Sequence, residues 1–310
     1  MQLHSIGWGI LFAALGLMNQ LLDKPVHASP EAPEPETRDF YVRSLRLLDQ
    51  ARVPYLVGGG YAMAYYTGIV RHTKDLDVFI RPRDLERALH VLSEHGGYRT
   101  DRTWPHFLAK ALHGDAFIDL IYRSGNGLCE VDDGWFNHAT PGEVLGHPVQ
   151  LCPAEETLWS KAFVQERDRF DGADVYHLIL RQGEEFDWRR LGRRFRGHER
   201  VLLAHLILFG YVYPCERQRV PGWLLEELEA TVRSEAPTPE NLCRGTLLSK
   251  FMYLTDVQHW GFEDVRLPPR GIMSPQDITH FTGVCPIFRE AYSWRLRYCQ
   301  RWSLGCRTVF

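Results

Sequence analysis

Leu56-Val57-Gly58-Gly59-Gly60-Tyr61, followed by Arg71-His72-Thr73-Lys74-Asp75-Leu76-Asp77-Val78-Phe79-Ile80, is the stretch on which the fold turns. Leu56-Val57 reads as the end of a short buried strand, the glycines as a turn, and Tyr61 to Tyr66 as the helix that follows, broken at Gly68. In an alternating strand Asp75 and Asp77 point to one face, with Leu76 and Val78 on the other. One face therefore carries charge and the other carries core. A third carboxylate, Asp119, interrupts the apolar run Phe117-Ile118-Asp119-Leu120-Ile121. If its strand pairs with the first, three acids meet. Burying an unpaired carboxylate costs several kcal/mol, and converging acids repel unless a cation neutralises them. Mg²⁺, which takes one or two carboxylates and completes its shell with phosphate and water, is the expected partner.

Outward from this centre, helix and strand patterns alternate. Residues 38–50 carry Phe40, Leu45 and Leu48 on a helical stripe. Pro82-Arg83-Asp84 opens a helix with Leu85, Ala88, Leu89 and Leu92 on one side, closed by Gly96-Gly97. Residues 107–112 and 116–122 flank His113-Gly114-Asp115, a hairpin signal, and His106 and His113 are expected to be exposed beside it. Val149-Gln150-Leu151 reads as a further strand piece before Pro153-Ala154-Glu155-Glu156, a helix start with acids in its first turn. Helices dominate beyond it, among them a long apolar stripe over residues 187–213 and a helix opened by Pro221. These elements place the chain in the α/β (α+β) class, with a small mixed sheet and a helical C-terminal extension. The expected organisation is an apolar segment and acidic proline-rich linker at 1–36, the sheet-bearing core at 37–152, a helical region at 153–284 and an unassigned tail at 285–310.

Composition narrows the function. The chain has 310 residues, 45% of them hydrophobic, and a formal net charge of −3, so no general field draws it to nucleic acid or an anionic membrane. Its seven cysteines form no C-x-x-C pair and no cluster with histidine, which argues for reduced structural thiols rather than zinc or a disulfide framework. The arginines 189, 190, 193, 194, 196 and 200 read as the wet side of an amphipathic helix, with RNA binding as the alternative. An apolar run at 6–18 and Val26-His27-Ala28 raise a secretory signal at 1–28 as a minority reading. No lysine or arginine precedes that run, and it is short for a membrane span. A cytoplasmic protein without stable membrane association is expected.

Gly59-Gly60, the Arg71 to Asp77 segment and the separate Asp119 resemble the DNA polymerase beta type nucleotidyltransferase superfamily. More narrowly, Arg71-His72-Thr73-Lys74-Asp75-Leu76-Asp77, the Pro153-Ala154-Glu155-Glu156 helix start with Lys161, and Arg167-Asp168-Arg169-Phe170-Asp171 with Asp174 resemble bacterial nucleotidyltransferase-like proteins related to the type IV abortive-infection toxin. A lysine of the family's pattern is replaced by Arg169 or Phe170, which puts the use of that element here in question. The resemblance implies Mg²⁺-dependent transfer of a nucleoside monophosphate, from ATP or another nucleoside triphosphate, to a hydroxyl acceptor by a two-metal mechanism. Asp75, Asp77 and Asp119 would be the catalytic and metal-holding acids, and Gly59, Gly60, Arg71, Thr73, Lys74 and Lys161 would meet the nucleotide. The acceptor stays open among a small molecule, tRNA and a protein. The alternative is a catalytically silent nucleotide-binding member, or a toxin component with an antitoxin-like partner.

Overall fold

The computed structural model describes residues 33–73 and 75–283. Lys74, the apolar run 6–18 with the signal reading at 1–28, and the tail 285–310 lie outside them.

Helix α1 (Pro35–Gln50) starts on a proline whose missing N–H costs nothing there. Strand β1 (Leu56–Val57) passes through the glycine turn into α2 (Gly59–Thr67), which Gly68 ends in the left-handed region at φ 74°. Strand β2 (Leu76–Phe79) follows, then α3 (Leu85–His90), entered by a tight turn at Pro82–Asp84 and extended by a π-type turn to His95. Strands β3 (Arg99–Trp104), β4 (Leu108–His113) and β5 (Ala116–Ile121) form an antiparallel meander. After α4 (Asp133–Asn137), capped by the Asp132 carboxylate, comes the hairpin of β6 (Thr140–Val144) and β7 (His147–Leu151).

The strands make one seven-stranded mixed sheet in the order β3-β4-β5-β2-β1-β7-β6. Strand β2 runs antiparallel to β1 and parallel to β5, and β1 runs parallel to β7. Period two then sorts the side chains. Leu76, Val78, Ile118 and Leu120 point to one face, where Phe40, Tyr41, Leu45 and Leu48 of α1 and Leu85, Ala88 and Leu89 of α3 bury them. The other face is covered by helices around Leu56, Met63 and Tyr66, and it is there that Asp77 and Asp119 project.

The helical region comprises α5 (Ala154–Ala162), α6 (Gly172–Gln182), α7 (Trp188–Arg194), α8 (Glu199–Val212) and α9 (Gly222–Ser234). Strands β8 (Leu242–Cys243) and β9 (Glu263–Asp264) pair in parallel around α10 (Leu254–His259), and α11 (Pro275–Gly283) closes the described chain. The apolar stripe over 187–213 is two helices rather than one, because Gly197 reverses the chain at φ 81°.

The arginine cluster also departs from expectation. Arg189, Arg193, Arg196 and Arg200 are exposed, but Arg190 is buried and Arg194 is half-buried. Arg190 meets Glu156 at 2.5 Å and Glu155 at 2.6 Å, while Arg194 meets Glu156 at 3.1 Å and Asp132 at 2.5 Å. Glu156, fully buried, is thus the hub that ties α5 to α7 and to the cap of α4. His106, expected at the surface, is buried and hydrogen-bonds the Gly125 carbonyl at 3.1 Å, and burial lowers its pKa. Cys129, Cys152 and Cys243 are buried free thiols, and Cys215 is an exposed one. Among the described residues no helix is long and apolar enough to cross a membrane.

Candidate active site

The glycine turn is shaped by a carboxylate. Gly59 stands at φ 54°, and a Cβ there would overlap Asp77 Oδ2. The Gly58 amide donates to the Asp77 carbonyl at 3.0 Å, fixing the turn to β2. A Cβ at Gly58 would overlap the Phe79 ring, whereas one at Gly60 would lie 3.3 Å from Thr73. No side chain caps α2, so its first amides stay available to an anion at the helix N-terminus.

Register brings the acids together. Asp77 on β2 and Asp119 on β5 are direct partners in the parallel ladder. Asp75, just before β2, is held by Thr73, whose hydroxyl donates to Asp75 Oδ1 at 3.1 Å. One carboxylate oxygen from each of Asp75, Asp77 and Asp119 lies within 4.8 Å of the others. Such crowding is electrostatically costly. Burial, then repulsion from Asp75 and Asp119, pushes the Asp77 pKa up to about 7, and Lys161 and Arg169 oppose the rise only in part. Burial also raises Asp119, against the pull of Lys110. Three hard oxygen donors under strain from mutual repulsion are a donor set that fits Mg²⁺.

Two features of the site go beyond the sequence expectation. Lys110 on β4 is the cross-strand partner of Asp119, and its ammonium bonds Asp119 Oδ1. The Asp171–Asp174 pair at the start of α6 collects cations. Lys161 Nζ lies 3.1 Å from Asp171 Oδ2 and 2.8 Å from Asp174 Oδ2, Arg71 lies 2.6 Å from Asp174 Oδ1, and Arg169 lies 3.0 Å from Asp171. Despite burial, which opposes it, the hydrogen bond from Arg169 and the charge of Lys161 hold the Asp171 carboxyl below its ordinary value.

A cavity of about 860 Å³ opens over these groups. Gly59, Gly60, Arg71, Thr73, Asp75, Asp77, Asp119 and Lys161 all line it, as does His72. The expected cationic ligands Arg71 and Lys161 are therefore present but engaged by Asp171 and Asp174, while Lys74 is outside the described residues. Asp171 and Asp174 were legible as a charged element but not as partners of Lys161. Lys110 had a signal: counting outward from the turn at Gly114, it faces Asp119.

Residues 41–209 match the model of a protein family described as uncharacterised nucleotidyltransferase. No curated protein sequence matches the chain significantly. Among solved structures, the antibiotic-resistance factor ANT(2'')-Ia in solution is similar at 18% identity, covering 56% of this chain and 98% of that chain, with a TM-score of 0.38. The lincosamide antibiotic adenylyltransferase LnuA, lincomycin-bound, is similar at 16% identity, covering 47% and 98%, with a TM-score of 0.33. An antigenic nucleotidyltransferase-like protein from Paracoccidioides brasiliensis is similar at 16% identity, covering 60% and 94%, with a TM-score of 0.37.

Proposed function

Because this chain belongs to the family of uncharacterised nucleotidyltransferases, we propose that it moves a nucleoside monophosphate from ATP or another nucleoside triphosphate onto a hydroxyl acceptor. The observation that carries this reading is the convergence of Asp75, Asp77 and Asp119 within 4.8 Å beside the glycine turn. Asp75, Asp77 and Asp119 would hold Mg²⁺, which when bound neutralises the acids and polarises the triphosphate for in-line displacement.

The chain's own groups then divide the work. The amides of Gly59 and Gly60 at the start of α2 receive phosphate oxygens. Thr73 orients the Asp75 carboxylate through the 3.1 Å hydrogen bond. Arg71, Lys74 and Lys161 supply positive charge to the polyphosphate, arginine as a fork and lysine as a point charge. Asp119, at the acceptor side, takes the proton of the attacking hydroxyl. The acceptor oxygen bonds to the α-phosphorus, the bond from that phosphorus to the bridging oxygen breaks, and pyrophosphate leaves. Residues 37–152 form the catalytic core in this reading, and 153–284 the helical region that shapes the cavity. A triphosphate substrate agrees with a cytoplasmic setting.

A second reading is a nucleotide-binding member without turnover, such as a toxin component of the abortive-infection type with an antitoxin partner. The ion pairs Lys110–Asp119 and Lys161–Asp171–Asp174 favour it, since internal cations already engage these carboxylates. Pyrophosphate release from labelled triphosphates separates the two. The transfer reading expects release that falls by about a hundredfold or more in Asp75→Asn, Asp77→Asn and Asp119→Asn, with the fold intact by circular dichroism. Triphosphate binding by calorimetry without any release supports the silent reading instead.

A further inference from the structure

The sheet carries two parallel rows of side chains on the face that bears the acids. Asp101, Lys110, Asp119 and Asp77 are successive cross-strand partners and form a charged row. Trp104, Leu108, Ile121 and Phe79 are partnered in the same way and form an apolar row, the bulge between Asp101 and Trp104 resetting β3. In β2, β4 and β5 the second row lies two residues along from the first, so both face the same side, about 7 Å apart. All four apolar residues line the cavity.

The glycine turn fixes the phosphate end on the β1 side of β2, so a molecule reaching Asp119 from the other side lies toward β4 and β3. Its body then covers the apolar row. The walls there are aromatic. Phe107 stacks on Trp104 with centroids 5.5 Å apart and planes at 16°, and Phe281 of α11 stands edge-on to both, at 6.3 Å from Trp104 and 5.6 Å from Phe107. His280 bonds the Thr103 carbonyl at 2.8 Å, which seats α11 against β3. One ammonium, Lys250, stands on this side, with the Glu166 carboxylate turned to the Ser249 hydroxyl and the Lys250 amide. Lys250 Nζ lies 4.8 Å from the Phe251 ring and 5.2 Å from the Phe281 ring. Among the described residues Lys250 has no ion-pair partner, whereas the Lys110 ammonium is already engaged by Asp119.

We propose that this arm is the acceptor site, and that the acceptor is a flat, mainly apolar hydroxyl compound without positive charge, of the phenol or fused-ring alcohol class. The inference rests on the nucleotidyl-transfer reading above and specifies its acceptor. An aromatic body lies over Leu108 and Ile121 of the apolar row with the Trp104, Phe107 and Phe281 rings as its wall, its hydroxyl reaches Asp119, and Lys250 repels cations while accepting an anionic substituent.

The test measures equilibrium binding of three probes to the full chain: 2-naphthol, 6-hydroxy-2-naphthoate and the polycation tobramycin. Binding of MgATP is measured in parallel by calorimetry. Both naphthalene probes are expected to bind, and tobramycin is not. Phe281→Ala should weaken the naphthalene probes by about tenfold, the loss expected for removing one well-packed ring from a site. Phe281→Tyr should restore them, and ATP affinity should hold in both variants. Lys250→Glu should weaken the naphthoate more than the naphthol. Tobramycin binding tighter than the naphthol, or naphthol binding unaffected by Phe281→Ala, overturns the inference. So does ATP binding by the wild type with no binding of either naphthalene probe, which leaves the transfer reading standing. Absence of ATP binding by the wild type overturns the transfer reading itself.

Discussion

Replacing Gly59 by alanine should separate stability from chemistry. Gly59 adopts φ 54°, where a residue with a Cβ costs roughly 1–2 kcal/mol. At about 2–4 °C of melting temperature per kcal/mol for a domain of this size, Gly59→Ala should melt roughly 2–8 °C below wild type. The new methyl overlaps Asp77 Oδ2 and comes within 2.6 Å of Asp77 Cγ. The carboxylate tip is the movable partner, so the clash resolves by swinging Asp77 away from Asp75 and Asp119. Nucleotidyl transfer, measured as labelled pyrophosphate release, should then fall by about a hundredfold or more. Gly60→Ala is the control: its Cβ would sit 3.3 Å from Thr73 at an ordinary φ, and turnover should drop less than about tenfold by the same measure. Wild-type turnover in Gly59→Ala would show that Asp77 need not hold its place at the glycine turn, and collapse of the fold instead of a modest shift in melting would show that the clash is not absorbed at the carboxylate.

Taking from the buried hub Glu156 its partner Arg190 should have the opposite signature. Arg190→Met leaves Glu156 fully buried with only Arg194 beside it, and urea denaturation should report a loss of about 3 kcal/mol; a loss below about 1 kcal/mol would show the pair is dispensable. The acid cluster makes a pH prediction whose sign follows from Asp77. Its pKa rises from 3.8 to about 7 on folding, so without metal the unfolded chain gives up that proton first, and stability falls as pH rises between those values. Mg²⁺ needs the ionised form, so it should raise the melting temperature more at pH 8 than at pH 5. Equal shifts at the two values would count against a metal site at Asp77.

The strands that carry Asp77 and Asp119 are readable because their logic is local. The Leu-Val-Gly-Gly-Gly turn, the alternation of Asp75, Leu76, Asp77 and Val78, and the hairpin about Gly114 each depend on neighbours within a few residues. Strand β3 is not legible in the sequence because Arg99 to Trp104 is mostly polar and lies at one edge of the sheet, with both faces largely exposed. Strand β6, at the other edge, contains Pro141 and Gly142, residues that weaken a strand pattern and are tolerated where one side is unpaired. Burial of charge was the least legible property. Nothing local distinguishes Arg190, which packs against Glu155 and Glu156, from the exposed Arg189 beside it, since the difference is set by α5 lying across α7. The engagement of Lys161 by Asp171 and Asp174 likewise depends on how α6 returns toward α5.

The proposed chemistry requires Asp75, Asp77 and Asp119 to gather divalent cations around a triphosphate. The decisive measurement is anomalous diffraction from a crystal grown with Mn²⁺ and a non-hydrolysable ATP analogue. Two peaks about 4 Å apart are expected, each in contact with carboxylate oxygens of the three acids and with the triphosphate. Peaks absent from that position, or gathered at Asp171 and Asp174 instead, would rule the proposal out.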